Sequence, residues 1–403
     1  MGSMFRTALS RALALTAPLT LLAACGTAAV PAAGNGPGAS GGPGRQAGAV
    51  AHTGSAVLAA GEQTALGAGT GRGRSAIQAR RVASPGPGGG TTVPGAPNCP
   101  MFPASNVWNT DISKLPVNPH SAAWMRSMGS ASTFLHPDFG PNPGGFPYGI
   151  PYNVVTSAHP LVPVTFQYAS ESDKGPYPFG ASTLIEGGKN AGGDRHAIMV
   201  NKATCTLYEL WEARYSTSGS SAGSGAIWSL AANRLRPAGW TSADAAGLPI
   251  LPGLLNYSQV RAAVQSGRPI THAIRFTAQA TQSGYLWPAR HEAGSGANPA
   301  LPPMGARFRL KASFNVAGFC ASSAPYCADA KAVLTEMQDY GLILADNGSN
   351  WFFQGSAFPQ WPDALVSLLK QIPARAFQAV DESCLMVSPN SGRAAAKPGC
   401  PIG

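Results

Sequence analysis

Between Glu171 and Glu212 the chain places Glu171, Asp173, Glu186, Asp194, Arg195 and His196 within 26 positions, although only 11% of all residues are charged. Carboxylates and an imidazole at this density suit acid–base chemistry, in which one group holds a proton that another lacks. Asp194 and His196 are two residues apart, so on an extended chain they share a face and Arg195 points the other way. Such a pair can move a proton, ligate a metal or serve as a structural hydrogen bond. Glycoside cleavage needs two carboxyl groups, one protonated and one ionised, across the scissile bond. Glu186 follows Thr183-Leu-Ile185 and precedes Gly187 and Gly188, as a strand-end residue facing a cleft would. These glycines, with Gly192 and Gly193, let a ligand approach the backbone. The expected catalytic set is therefore Glu186, Asp194 and His196. Surface salt pairing is the simpler account of any one of these carboxylates alone, Glu209 included.

Groups suited to holding a sugar polymer form a second set. Flat aromatic rings stack on the apolar faces of sugars, although core packing claims most of them. Tyr208 and Trp351 are candidates, as is Trp287, whose turn-like segment also carries Arg290 and His291. Arg195, Glu171, Asp173 and His272 complete the expected substrate-binding set, with Asp346 and Asn350 of second rank. In a polysaccharide lyase Arg195 would neutralise a uronate while His196 or Tyr208 took the proton. His136-Pro137-Asp138 repeats the Asp-x-His spacing in reverse. No cofactor is expected, and calcium or zinc on Asp194, His196, His136 or Asp138 remains an open option. Gly219-Ser-Ser-Ala-Gly223 matches a nucleophile elbow in letters but lies in a polar loop, and there is no H-E-x-x-H or P-loop.

Short strands separated by Gly/Pro turns must position these groups. His196–Val200, Cys205–Trp211, Asn106–Asp111, Asn153–Thr156, Val162–Tyr168, His272–Thr277 and Phe377–Asp381 suit strands. Arg307–Val316 alternates, with Arg307, Arg309 and Lys311 on its polar side. Asn347-Gly348 suits a tight turn between Leu342–Asp346 and Trp351–Phe353. Helices are expected over Ser121–Met128, Leu254–Gln265, Ala328–Tyr340 (closed by Gly341) and Pro362–Ile372, with a short one near Thr241–Gly247. The expected fold is mainly β with α decoration: an antiparallel β-sandwich or jelly-roll-like sheet with a few helices, in one domain over residues 98–388 and a tail at 389–403.

Ahead of this domain the composition changes. Arg6 and Arg11 precede an apolar run that ends in Leu22-Ala23-Ala24-Cys25, which resembles the lipobox of bacterial lipoproteins. That resemblance implies a signal peptide over 1–24, lipidation of Cys25 and export to the cell envelope, with membrane attachment through the lipid alone. Residues 25–97 are rich in Gly, Ala and Pro and too poor in apolar side chains to offset ordering entropy, the pattern of a disordered tether. Residues 1–98 hold seven of the 28 basic residues and one of the 18 acidic ones, so the remainder is only mildly basic. No element carries a basic stripe, which argues against a nucleic-acid partner. Cys99, Cys205, Cys320, Cys327, Cys384 and Cys400 suit disulfides in an oxidising compartment, with the pairing open among 15 arrangements.

Residues 185–188 (IEGG), 193–196 (GDRH), 207–210 (LYEL), 236–250 (RPAGWTSADAAGLPI), 302–305 (PPMG) and 344–351 (LADNGSNW) together resemble a family of exported bacterial proteins. The resemblance implies a single extracytoplasmic domain over residues 100–382 and no particular activity. The residues themselves lead to the expectation of a surface-tethered carbohydrate-active enzyme, a glycoside hydrolase or polysaccharide lyase. The alternatives are a non-catalytic glycan-binding or envelope-structural lipoprotein and a metal-dependent hydrolase.

Overall fold

The computed structural model of the protein describes residues 91–401 apart from 295 and 359. The expected signal peptide, the lipidation site Cys25 and nearly all of the tether lie outside the described residues. The strands are β1 (Thr92–Val93), β2 (Ala96–Pro100), β3 (His136–Asp138), β4 (Tyr152–Val155), β5 (Val164–Phe166), β6 (Ala197–Asn201) and β7 (Thr206–Trp211). They continue with β8 (Ser220–Ala222), β9 (Ser224–Ser229), β10 (Ile274–Ala278), β11 (Arg307–Leu310), β12 (Leu342–Asn347), β13 (Phe352–Gln354) and β14 (Phe377–Val380). Helices α1 (Ser121–Ser127), α2 (Tyr257–Ser266), α3 (Cys327–Asp339) and α4 (Asp363–Leu369) decorate them. The fold is thus mostly β with a few helices.

Two sheets matter for the site. One has six strands in the order β14-β11-β12-β10-β13-β3, the other four in the order β4-β6-β7-β9. Both mix directions: β10–β12, β13–β3 and β4–β6 are parallel, whereas β6–β7, β7–β9 and β11–β12 are antiparallel. The four-stranded sheet is buried on both faces, because its strands alternate between two cores. Ile198, Val200, Leu207, Ala226 and Trp228 enter the large core that also takes Phe276, Phe308, Leu344 and Phe353 from the six-stranded sheet. Ala197, Met199 and Leu210 enter a smaller core with Val164, Tyr177, Phe179 and Ile185.

Helix ends follow local chemistry. The Asn256 side chain accepts the Ser258 amide and starts α2, and left-handed Gly267 ends it. After α3, Gly341 sits at φ 67°, where an added Cβ would strike the Phe308 carbonyl, so the turn into β12 requires glycine.

Several expectations need correction. Residues 107–109 form a 3-10 turn instead of a strand, because the Asn106 side chain takes the Trp108 amide. No helix forms near 241–247, where the Ser242 hydroxyl bonds the Asp244 amide and the Leu248 carbonyl. Arg307 and Arg309 are buried; they are spent on the carbonyls of Tyr340, Val107 and Ile112. Asn347-Gly348 joins no hairpin, since β10 lies between β12 and β13. Gly348 instead allows close approach to Thr277, and the left-handed residue is Trp351 at φ 65°.

Disulfides Cys99–Cys205, Cys320–Cys327 and Cys384–Cys400 use all six expected cysteines. The C-terminal segment joins the fold: the Gly392 carbonyl accepts the Val107 amide and its own amide reaches Asn233.

Trp351 is fully buried against Phe276, Phe308 and Phe377, with its indole N–H on the Met128 carbonyl at 2.9 Å. It therefore cannot stack on a ligand. Trp351→Ala should cost about 3–5 kcal/mol of stability in urea unfolding; an unchanged midpoint would mean that the ring lies at the surface.

Candidate active site

Four neighbouring strands of the six-stranded sheet present one polar row. Phe276 of β10 pairs with Phe353 of β13, which sets Arg275 beside Gln354, and Gln354 pairs in register with Asp138 of β3. On the other side of β10 the register slips between Phe276 and Thr277, so Thr277 pairs with Asp346 and Ala345 is left over. This bulge turns the Asp346 side chain onto the face of Arg275. Arg275 Nη2 lies 3.6 Å from Asp346 Oδ2, and Nη1 donates to Gln354 Oε1. The order across the sheet is Asp346, Arg275, Gln354, Asp138.

Arg275 is 1% exposed, and a guanidinium this deep must be paired. Asp244 pairs with it in a two-pronged contact, Nε to Oδ2 at 3.0 Å and Nη2 to Oδ1 at 2.8 Å. Asp244 belongs to the segment 241–251, which also binds the other sheet. The Ala243 carbonyl accepts His196 Nε2 at 3.0 Å. The amides of Ile250 and Leu251 reach the buried carboxylate of Glu209 on β7 at 2.9–3.0 Å. One loop thus joins both sheets through a carboxylate, a carbonyl and two amides.

His196 immediately precedes β6 and is almost entirely buried. Its Nδ1 lies 2.6 Å from Glu186 Oε2, so both ring nitrogens face acceptors and the imidazole is doubly protonated. Burial alone would lower its pKa, but the charge and hydrogen bond of Glu186 prevail and hold it near 9. Burial raises Glu209 to about 7 against the pull of its two amide donors. Burial and the neighbouring Asp244 push Asp346 up to about 8, with Arg275 opposing. Asp138 is also raised, by burial first and then by the charge of Glu186. Six carboxyl groups (Asp138, Glu186, Asp194, Glu209, Asp244 and Asp346) therefore share two cations, His196 and Arg275. Glu186, Asp138 and Asp346 reach solvent in part and Asp194 is exposed, whereas both cations are buried.

The expected trio is thus only partly equivalent. Glu186 and His196 are an ion pair, and Asp194 is an exposed neighbour whose Oδ1 accepts the Trp211 indole N–H at 3.2 Å. Arg195, at φ 48°, spends its guanidinium on the carbonyls of Lys189, Ala191 and Ala213. It holds the glycine loop in place, with four of its five N–H donors spent and only 5% of its surface exposed.

Most of the expected substrate-binding residues lie elsewhere. Tyr208 faces the smaller core against Tyr177, on the opposite side of the sheet from Glu209. Asp173 pairs with Arg236 at 2.6 Å and accepts the Ile227 amide, while Glu171 caps the Thr241 amide. Arg290 reaches the Arg236 carbonyl and Asn390, and His291 the Ala245 carbonyl, so these residues brace the 241–251 segment from behind. His272 is fully buried beside Gln259 and Ala273, and burial lowers it to about 4. Trp287 donates to the Ser391 carbonyl. His136 stacks on Phe352 at 4.1 Å. Asn350 accepts the Gln279 amide.

Asp244, Arg275 and Gln354 were not expected. Arg275 carried a signal in the sequence, because an arginine inside the apolar run His272–Thr277 demands a buried acid. Among the described residues no group of three or more His, Cys, Asp or Glu side chains converges to hold a metal ion. Two surface hollows, of about 630 Å³ along β4 and about 320 Å³ beside α2, are lined by none of the clustered carboxyl groups. No protein-family model, curated protein or solved structure matches the chain.

Asp244→Ala would leave buried Arg275 with only Asp346, 3.6 Å away and itself raised to about 8, as counter-charge and should cost about 3–5 kcal/mol in chemical denaturation; a loss under 1 kcal/mol would show the pair to be dispensable. Stability should also depend on pH with a definite sign. His196, Asp346 and Glu209 keep protons in the native state that the unfolded chain releases near 6.5 or 4. Between pH 6.5 and 9 the folded form binds more protons, so Tm should fall as pH rises, and a rising Tm would contradict these protonation states.

Proposed function

We propose that the protein is a carbohydrate-active hydrolase that cleaves a polysaccharide by acid–base chemistry at the partly open carboxyl cluster. The observation that carries this reading is the contrast within one cluster: Asp346 is raised to about 8, and Glu186 is paired with the buried His196 imidazolium. Glycoside cleavage requires such a difference, one carboxyl group holding a proton and one kept ionised. Asp346 is the proton donor, and Asp138 shares its raised pKa as a neighbour in the same row. Glu186 is the ionised partner that activates water or attacks the sugar. His196 positions Glu186 through the 2.6 Å ion pair, and the Asp244–Arg275 pair holds Asp346 from below.

The lyase variant has less support. It needs a cation free to meet a uronate and a base free to take the α-proton. Arg195 is buried with four of its five N–H donors on backbone carbonyls, His196 has no free nitrogen, and Tyr208 lies on the other side of the sheet. The three disulfides fit an oxidising, exported setting, where polysaccharide is the accessible polymer; export and lipid anchoring are part of the proposal.

Reducing-end release from a panel of plant, fungal and bacterial polysaccharides tests it. Asp346→Asn should lower kcat by about 10²–10⁴ with little change in KM, and the alkaline limb of the rate profile near pH 8 should disappear. Glu186→Gln should be at least as damaging. Wild-type activity retained in both variants would remove the assignment, and binding without product would favour a non-catalytic glycan-binding protein.

A further inference from the structure

Trp211 ends β7 on the same face as Glu209, next to the carboxyl cluster, and it is held firmly for a ring that is only partly buried. Its indole N–H is fixed by Asp194. At Gly223 any Cβ would overlap the six-membered ring of the indole, so the ring lies against bare backbone there. Tyr168, 43% exposed, borders it with ring centroids 6.1 Å apart and a 40° tilt, and the Tyr168 amide is anchored on the Gly223 carbonyl. The next residue, Glu212, is left-handed at φ 50°, and its amide bonds the Asp194 carbonyl. A non-glycine residue in this region costs free energy that surrounding contacts must offset. A tryptophan that only filled space would be covered, as Trp351 is. Trp211 packs partly on the large core, is oriented by Asp194 and Gly223, and keeps part of its ring at the surface.

The loop after Asp138 is also aromatic. It packs Phe146 against Gly188, two residues from Glu186, and leaves Tyr148 59% exposed. Two exposed tyrosines, Tyr168 and Tyr148, thus lie on loops that border residues of the cluster. Charge adds a selection rule: solvent meets acids, while His196 and Arg275 are buried and already paired. A sugar bearing carboxylate or sulfate would find no unpaired cation among the clustered groups, a contact that a neutral or amino-bearing sugar does not need.

We propose that Trp211, bordered by Tyr168 and fixed by Asp194, is a stacking subsite for one pyranose ring of a neutral or amino-bearing glycan, and that anionic glycans are excluded from it. This rests on the carbohydrate reading above but not on cleavage.

Affinity electrophoresis of the full chain through gels containing laminarin, xylan, chitosan or alginate tests the subsite. At least one of the first three should retard the wild type, and Trp211→Ala should weaken that retardation about tenfold. Tyr168→Ala, a change at an exposed ring, should weaken it less and guards against a Trp211 variant that fails to fold. Retardation by alginate through the basic N-terminal segment should be the same in all variants. No retardation by the first three polymers, or retardation indifferent to both substitutions, would overturn the subsite, as would alginate retention that depends on Trp211. Retention that is lost in the variants without any product would keep the subsite and remove the hydrolase. Cleavage with unchanged KM in the variants would do the reverse.

Discussion

The buried pair between Asp244 and Arg275 is the constraint on which the site depends. A guanidinium inside a sheet interior is tolerated only with its charge and donors matched, and here the match comes from a loop outside the sheet. Satisfying Arg275 fixes where the 241–251 segment must run. That segment then places the Ala243 carbonyl under His196 and the Ile250 and Leu251 amides on Glu209. Two sheets that share one apolar core are thereby joined by polar contacts at one end of it. Apolar packing alone would leave the loop free to slide; directional hydrogen bonds give it one position.

The same arrangement creates the chemistry. Placing six carboxyl groups around two cations cannot leave all of them ionised, so protons are retained on the most buried and least compensated acids. The pairings decide which ones. Glu186 has His196 to itself at 2.6 Å, whereas Asp346 shares Arg275 with the better-placed Asp244. Unequal access to positive charge separates the protonated from the ionised acid, and the β-bulge at Ala345 brings Asp346 into the competition.

The order of elements could be read from the chain because apolar periodicity and capping signals are local. The strands around His196–Val200 and Cys205–Trp211 and the helix closed by Gly341 were all legible, as was the mostly β character. What could not be read was non-local. Alternation put Arg307 and Arg309 on a polar face, but segments distant in sequence cover that face and supply carbonyls to both. Asn347-Gly348 has the letters of a hairpin turn, yet β10, from seventy residues earlier, lies between the two strands. The site was legible to a similar degree. Local charge density marks Glu186 and His196, and Asp138 and Asp346 carry weaker local signals. Arg275, which pairs with Asp346, is not legible as a site residue because its principal acid Asp244 lies 31 positions away. Trp351, Tyr208 and His272 have the right chemistry for a binding surface and are buried, which residue type alone does not reveal.

The account depends on a buried imidazolium beside Glu186, and nitrogen NMR of the histidine side chains measures it directly. At neutral pH His196 should show two protonated ring nitrogens and keep them until about pH 9. A single neutral tautomer at pH 7, titrating at or below the ordinary histidine value, would contradict the assignment of Glu186 as the ionised member of the pair.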